Sequence, residues 1–191
     1  GGKLDLVATN VTMQVVAVRT GNKDGTFSGS TSVALTWSGG TMSGTGRTLV
    51  PVGSTLIING VAHTLSRLLD VSAPATWTDG DIAFADGSLA VRAASVLTLN
   101  PTTTVTATGS SGTNTLINQG SIVKIGAGTA RLAAGATAVA LNNSNQVTVQ
   151  AGTLDISGGG GNTGQMLSQA SATLSFGATL AWTGGSIIGA G

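Results

Sequence analysis

Apolar residues along this chain come in short, punctuated groups instead of long stripes. Residues 3–18, KLDLVATNVTMQVVAV, alternate incompletely at Leu4, Leu6, Val11, Met13 and Val15 and close on Val16 and Val18, which predicts one or two strands. A polar turn with two glycines and an asparagine follows at Arg19–Gly25. From Phe27 onward the groups shorten to about three to six residues, β-like and separated by Gly, Asn or Asp. Examples are Val33–Trp37, Thr55–Ile58, Ala94–Leu99, Ser121–Ile125, Gln146–Gln150 and Thr153–Ile156. Strands this short and this numerous suit an all-β sandwich, a barrel or a solenoid.

Repetition favours the solenoid. Trp37-Ser38-Gly39-Gly40-Thr41-Met42 is echoed by Trp182-Thr183-Gly184-Gly185-Ser186-Ile187 and, more loosely, by Trp77-Thr78-Asp79-Gly80-Asp81-Ile82. All three tryptophans of the chain thus share one motif, W-[ST]-[GD]-G-x-[IM], as residues do when they fill one structural position several times. An apolar-Asn/Asp step recurs at Leu69-Asp70, Leu99-Asn100, Ile117-Asn118 and Leu141-Asn142, at intervals suited to one coil with variable loops. Asparagine tolerates the left-handed backbone of a corner, and stacked asparagines can bond one another as a ladder. Glycine pairs and the Gly158–Gly161 tract fall between strands, where tight corners need positive φ. A sandwich would show longer, evenly alternating strands and fewer equivalent motifs. The division expected is an N-terminal strand arm or cap over residues 1–26 and coils over 27–191, making roughly seven or eight coils of about 22 residues, each about 4.8 Å above the last. Tryptophan is rarely wholly buried, so partial exposure of the three rings is expected.

A resemblance sharpens the fold. Asn118-Gln119-Gly120-Ser121-Ile122-Val123-Lys124, then Gly152-Thr153-Leu154-Asp155-Ile156, the glycine tract, Thr173-Leu174-Ser175-Phe176 and the last tryptophan motif resemble a repeat of very large bacterial surface and filament proteins. The likeness is clearest over residues 117–191 and extends loosely back to the first tryptophan motif. Asn142–Asn145 reads N-N-S-N where the group has N-x-G, and residues 1–26 fall outside the likeness. The resemblance implies a right-handed parallel β-helix and carries over no catalytic residue.

Composition narrows the function classes. Thirty glycines and only fifteen charged residues, none of them glutamate, argue against an α-rich fold. The net charge is +1, and the eight basic residues are scattered, whereas nucleic-acid binding needs them clustered; no nucleic-acid partner is expected. Low charge density leaves little repulsion between copies and favours self-association. No apolar run approaches the roughly 20 residues of a membrane span. The absence of cysteine fits an extracellular bacterial protein among other settings, and the absence of an initial methionine fits a removed signal peptide or a cloning boundary equally.

Chemistry finds few footholds. His63 lies alone in a turn-like stretch, without a second histidine or any cysteine to complete a metal site or a triad. Asp79, Asp81 and Asp86 form the one carboxylate cluster; with Arg67 or Arg92 on a neighbouring coil they could serve a carbohydrate-active enzyme, but Asp79-Gly80 and Asp86-Gly87 read better as turns. The glycine tract resembles calcium-binding β-roll repeats but occurs once and lacks the following aspartate. Alternating threonines at 102–108 suggest ice binding, which would need the same file on several coils; no such repetition is evident, and ordinary β-surface decoration is expected. Asn10-Val11-Thr12 fits the glycosylation sequon, a short and common pattern.

The expectation is therefore an extracellular, non-enzymatic structural protein, without cofactor or metal, whose solenoid self-assembles head to tail into a filament or matrix. An adhesin passenger segment binding a glycan or a host surface is the alternative, and a carbohydrate-active enzyme the third. Candidate assembly residues are Leu4, Leu6, Val11, Met13 and Val15 of the arm, with Trp37, Trp182, Ile187 and Ile188 of the coils.

Overall fold

The computed structural model describes residues 11–15, 20–21, 27–28 and 33–190; Leu4 and Leu6 lie outside them, and of Val11, Met13 and Val15 only the backbone is described. Among the described residues there is no helix, and the chain winds as a parallel β-solenoid of about seven turns. Each turn visits three sheets in order. The first face runs from Val33–Trp37 through Thr55–Ile58, Ala75–Trp77, Val96–Leu99, Ser121–Lys124, Gln146–Val149 and Gln165–Ser168 to Ser186–Gly189. The second face runs from Gly40–Met42 to Thr173–Phe176, and the third from Arg47–Val50 to Leu180–Trp182. Residues in register on successive turns lie 19 apart at the shortest, Ile58 to Trp77, and 27 at the longest, Leu89 to Leu116.

The core follows from the period-2 alternation of these short strands, which turns every second side chain inward. On the first face Leu35, Leu56, Ala75, Leu97, Ile122, Val147, Met166 and Ile187 form one continuous inward file. On the third face Leu69, Leu89, Leu116 and Leu141 do the same. Because like sits on like, each turn can shed or gain loop residues without disturbing the core, and every residue of these two files except Ile187 is buried.

The N-terminal segment behaves differently. Val11–Val15 pairs antiparallel with Val33–Trp37, from Val11 opposite Trp37 to Val15 opposite Val33, and Thr20–Gly21 pairs antiparallel with Phe27–Ser28. Parallel stacking begins at Val33–Trp37.

The tryptophans depart from the expectation of partial exposure. Trp37 and Trp77 are buried, and they share a single inward file with Ile58 between them. Trp77 Nε1 donates to Gly80 O at 2.8 Å inside its own motif, which removes the need for solvent at the ring nitrogen. Only Trp182 is exposed, at 39%, and it sits on the third face instead of the first, in register with Asn162. What the three motifs share is a corner: the glycine three residues after each tryptophan has φ of +81°, +77° and +77° at Gly40, Gly80 and Gly185. One local turn is thus used at two different corners of the triangle.

Candidate functional site

Three features of the solenoid carry unusual chemistry: a buried asparagine ladder, a buried lysine, and the coil that ends at Gly189. The ladder lies on the third face, where the inward file Val50, Val71 and Val91 gives way to Asn118, Asn143 and Asn162. Asn118 Nδ2 donates to Asn143 Oδ1 at 2.7 Å, and Asn143 Nδ2 donates to Asn162 Oδ1 at 2.6 Å. Each amide also bonds a corner carbonyl: Gln146 O for Asn118, Asn145 O for Asn143, and Gly164 O for Asn162. At the top, where Val91 cannot donate, Asn118 Oδ1 is left without a partner. The apolar-Asn steps pick out Asn142, but Asn142 faces outward and the ladder residue is its neighbour Asn143. The signal that finds the ladder is N-x-[GN], at Asn118-Gln119-Gly120, Asn143-Ser144-Asn145 and Asn162-Thr163-Gly164. Trp182-Thr183-Gly184 is the next member in register, so the last tryptophan motif belongs structurally with the asparagines.

Lys124 is fully buried in the file of the first two tryptophans, between Leu99 and Val149. Its ammonium donates to Gly126 O and, at 3.0 Å, to Ala151 O, joining the corners of two successive turns. No carboxylate pairs with it among the described residues, and burial pushes its pKa below the ordinary value of 10.5. Since the unfolded chain then binds more protons than the folded one below about 10.5, the wild type must gain stability as pH rises towards that value. Urea melts of wild type and Lys124→Met at pH 7.5 and pH 10 should show the difference moving in favour of the wild type; pH-independent differences would sink this assignment.

The remaining sequence candidates are dispersed. His63 is buried beneath the Trp37 ring, edge to face at a centroid distance of 4.5 Å. Its Nε2 lies 3.1 Å from Trp37 O and 3.2 Å from Asn59 O, and its Nδ1 3.2 Å from Asp81 O, so it faces main-chain carbonyls of three successive turns. The three carboxylates each hold backbone donors of their own corners or the next: Asp79 accepts from Gly80 N, Asp81 from Thr106 N at 2.7 Å, and Asp86 from Thr113 N. Neither arginine joins them. Arg67 donates to Ser43 O and Thr45 O, and Arg92 to Asp70 and Gln119. Asp70 is clasped by Arg92 and Arg47, and the bond from Arg92 chiefly holds its carboxyl below the usual 3.8. That contribution to stability is complete above about 3.8 and is lost as pH falls through the lowered value.

The threonine pattern is corrected. Thr104 stands in an unbroken file with Thr129, Thr153 and Thr173 on four successive turns of the second face, a repetition hidden by the unequal coil lengths. The adjacent outward file contains the Arg131–Asp155 ion pair at 2.8 Å, so the face is not a uniform threonine lattice. The glycine tract enters the third face at Gly160–Asn162 and delivers the last rung of the ladder. A shallow, uncharged groove of about 350 Å³ crosses the same face, floored by Ile117, Asn142, Gly161 and Ala181 with Gln119 and Thr163 beside them.

The third feature is the coil over residues 165–189. Its inward side chains continue the core files, yet Phe176, Trp182 and Ile187 are 38%, 39% and 51% exposed, and Leu174 and Leu180 only partly buried. The far edges of Thr173–Phe176, Leu180–Trp182 and Ser186–Gly189 have no strand partner among the described residues. Ile188, which faces outward, adds to the same apolar rim. Of the assembly candidates, Trp182, Ile187 and Ile188 therefore come together on one rim, while Trp37 is sealed at the opposite end. No family model, no curated protein and no solved structure matches the chain.

Proposed function

We propose that the chain is a non-catalytic structural module of an extracellular filament or matrix, whose solenoid associates end to end with further copies. The observation that supports this reading is the stack itself, about seven turns in which like residues lie above like on each face. Each turn meets the next through edge N–H and C=O groups, a surface that further coils of the same pattern extend. A contact between unlike ends is heterologous, and for a rod it propagates instead of closing. The scarcity of charge leaves little to oppose it.

Negative-stain images of the purified chain should show uniform fibres. Trp182→Ser combined with Ile187→Asp should abolish them without changing the far-ultraviolet circular dichroism, since both side chains lie at the open rim. A wild type that stays monodisperse and monomeric at high concentration would overturn the reading. A second reading, an adhesin surface for an uncharged glycan, is favoured by the neutral amide- and hydroxyl-lined groove on the third face.

A further inference from the structure

The three faces of the solenoid differ in charge. The second carries Arg131 and Asp155 on its outer side, and the third carries Arg47 and Asp70, with Arg92 at its corner. Among the described residues of the first face the one charged side chain is Lys124, which points inward and is buried. The outward file through the middle of that face runs Ile57, Thr76, Thr98, Val123, Thr148 and Leu167 over six successive turns, each an aliphatic residue or a threonine. Ile57 is 38% exposed, and Val123 and Leu167 are partly so. The outward file beside it includes Val96, Ser121, Gln146 and Gln165, and there Gln146 Nε2 donates to Gln165 Oε1 at 3.4 Å, so these long polar groups bond along the rod.

We propose that the first face is a lateral interface, on which the same face of a second copy packs side by side along the rods. Charge is the first reason for that occupant. An uncharged face brings neither repulsion nor a buried ion into contact with its own copy, whereas the second and third faces would carry their ions into it. Period is the second reason. The rungs repeat at the ordinary strand spacing of about 4.8 Å, and an identical face has the same repeat, so the outward ridges of one copy settle between those of the other along the whole contact. Like side chains meeting in this way form the dry, interdigitated contact of paired sheets. The described rungs present roughly 500 Å² per copy, so a pair buries about 1,000 Å², the area at which a specific contact begins. This contact is separate from the end-to-end one: it widens an assembly where the other lengthens it.

Sedimentation velocity over a concentration series, with particle widths from negative-stain images, tests the interface on three proteins. They are the wild type, Ile57→Lys with Val123→Lys, and a control of equal charge on the second face, Thr104→Lys with Thr153→Lys. All four positions face outward, so circular dichroism and melting should be alike in both variants; should the first-face variant melt lower, Thr98→Lys alone repeats the test. Wild type and control should associate equally and show double-width rods. The first-face variant should associate at least about tenfold more weakly and show single-width particles only. Equal association of that variant and the wild type overturns the interface. So does a wild type that assembles at single width only, a result that leaves the end-to-end reading standing. Double-width particles that never lengthen uphold the interface and count against end-to-end growth instead. A wild type that stays monomeric overturns it too, and adsorption of that monomer to microcrystalline cellulose, lost in the first-face variant, would name a neutral polysaccharide as the occupant.

Discussion

Asn143→Leu should cost the solenoid about 3–5 kcal/mol, whereas Asn142→Leu, one residue away, should change stability by about 0.5 kcal/mol or less. The two side chains differ only in the side of the strand they occupy. Asn143 is buried, accepts from Asn118 Nδ2 at 2.7 Å, and donates to Asn162 Oδ1 at 2.6 Å and to Asn145 O at 3.2 Å. Leucine would deprive Asn162 Oδ1 and Asn145 O of their donor inside a dry core, where each unmade bond costs about 1–3 kcal/mol. Asn118 keeps its bond to Gln146 O, so the damage falls mainly on the 145 and 162 corners. For a chain of this size the loss corresponds to a fall in Tm of roughly 10 °C. Asn142 is exposed and takes no part in the ladder. Thermal melts of the two variants with equal shifts would remove the ladder from any account of the stability of this fold.

That pair of residues also shows where the sequence could be followed and where it could not. Strand pieces such as Val33–Trp37, Thr55–Ile58 and Thr153–Ile156 are legible to the residue, because alternation and glycine punctuation act locally. The number of turns is legible too, since it needs only an average coil length. Register is not. The interval between equivalent residues varies from 19 to 27 along the chain, so a fixed offset misassigns faces. This is why the threonine file from Thr104 to Thr173 goes unseen, and why Trp37 and Trp182, alike in local context, stand on different faces. Lys124 was within reach of the alternation itself: Ile122 in, Val123 out and Lys124 in, with only the habit of placing lysine outside arguing otherwise.

The tryptophan motif leads to the second large effect. Gly80→Ala should cost at least about 3 kcal/mol, from two sources that a control can separate. Its φ of +77° lies in the region where an L-residue is strained by about 1–2 kcal/mol. A Cβ would in addition stand 2.3 Å from Val61 O and 2.6 Å from the His63 ring, and both are fixed by the turn below, His63 by its carbonyl partners. Gly44 offers the comparison: φ is +97°, but a Cβ there meets nothing within 4 Å, so Gly44→Ala should pay only the conformational part. Gly80→Asn tests the division again, since asparagine tolerates the left-handed backbone yet brings the same Cβ. It should remain nearly as destabilised as Gly80→Ala. If Gly80→Ala melts like Gly44→Ala, the corner yields and the motif is only a turn preference. If it melts far lower, the glycine is there because successive turns touch at this point. The chain would then repeat W-x-x-G for a reason of stacking: the tryptophan fills the file while the glycine lets the next turn close over it.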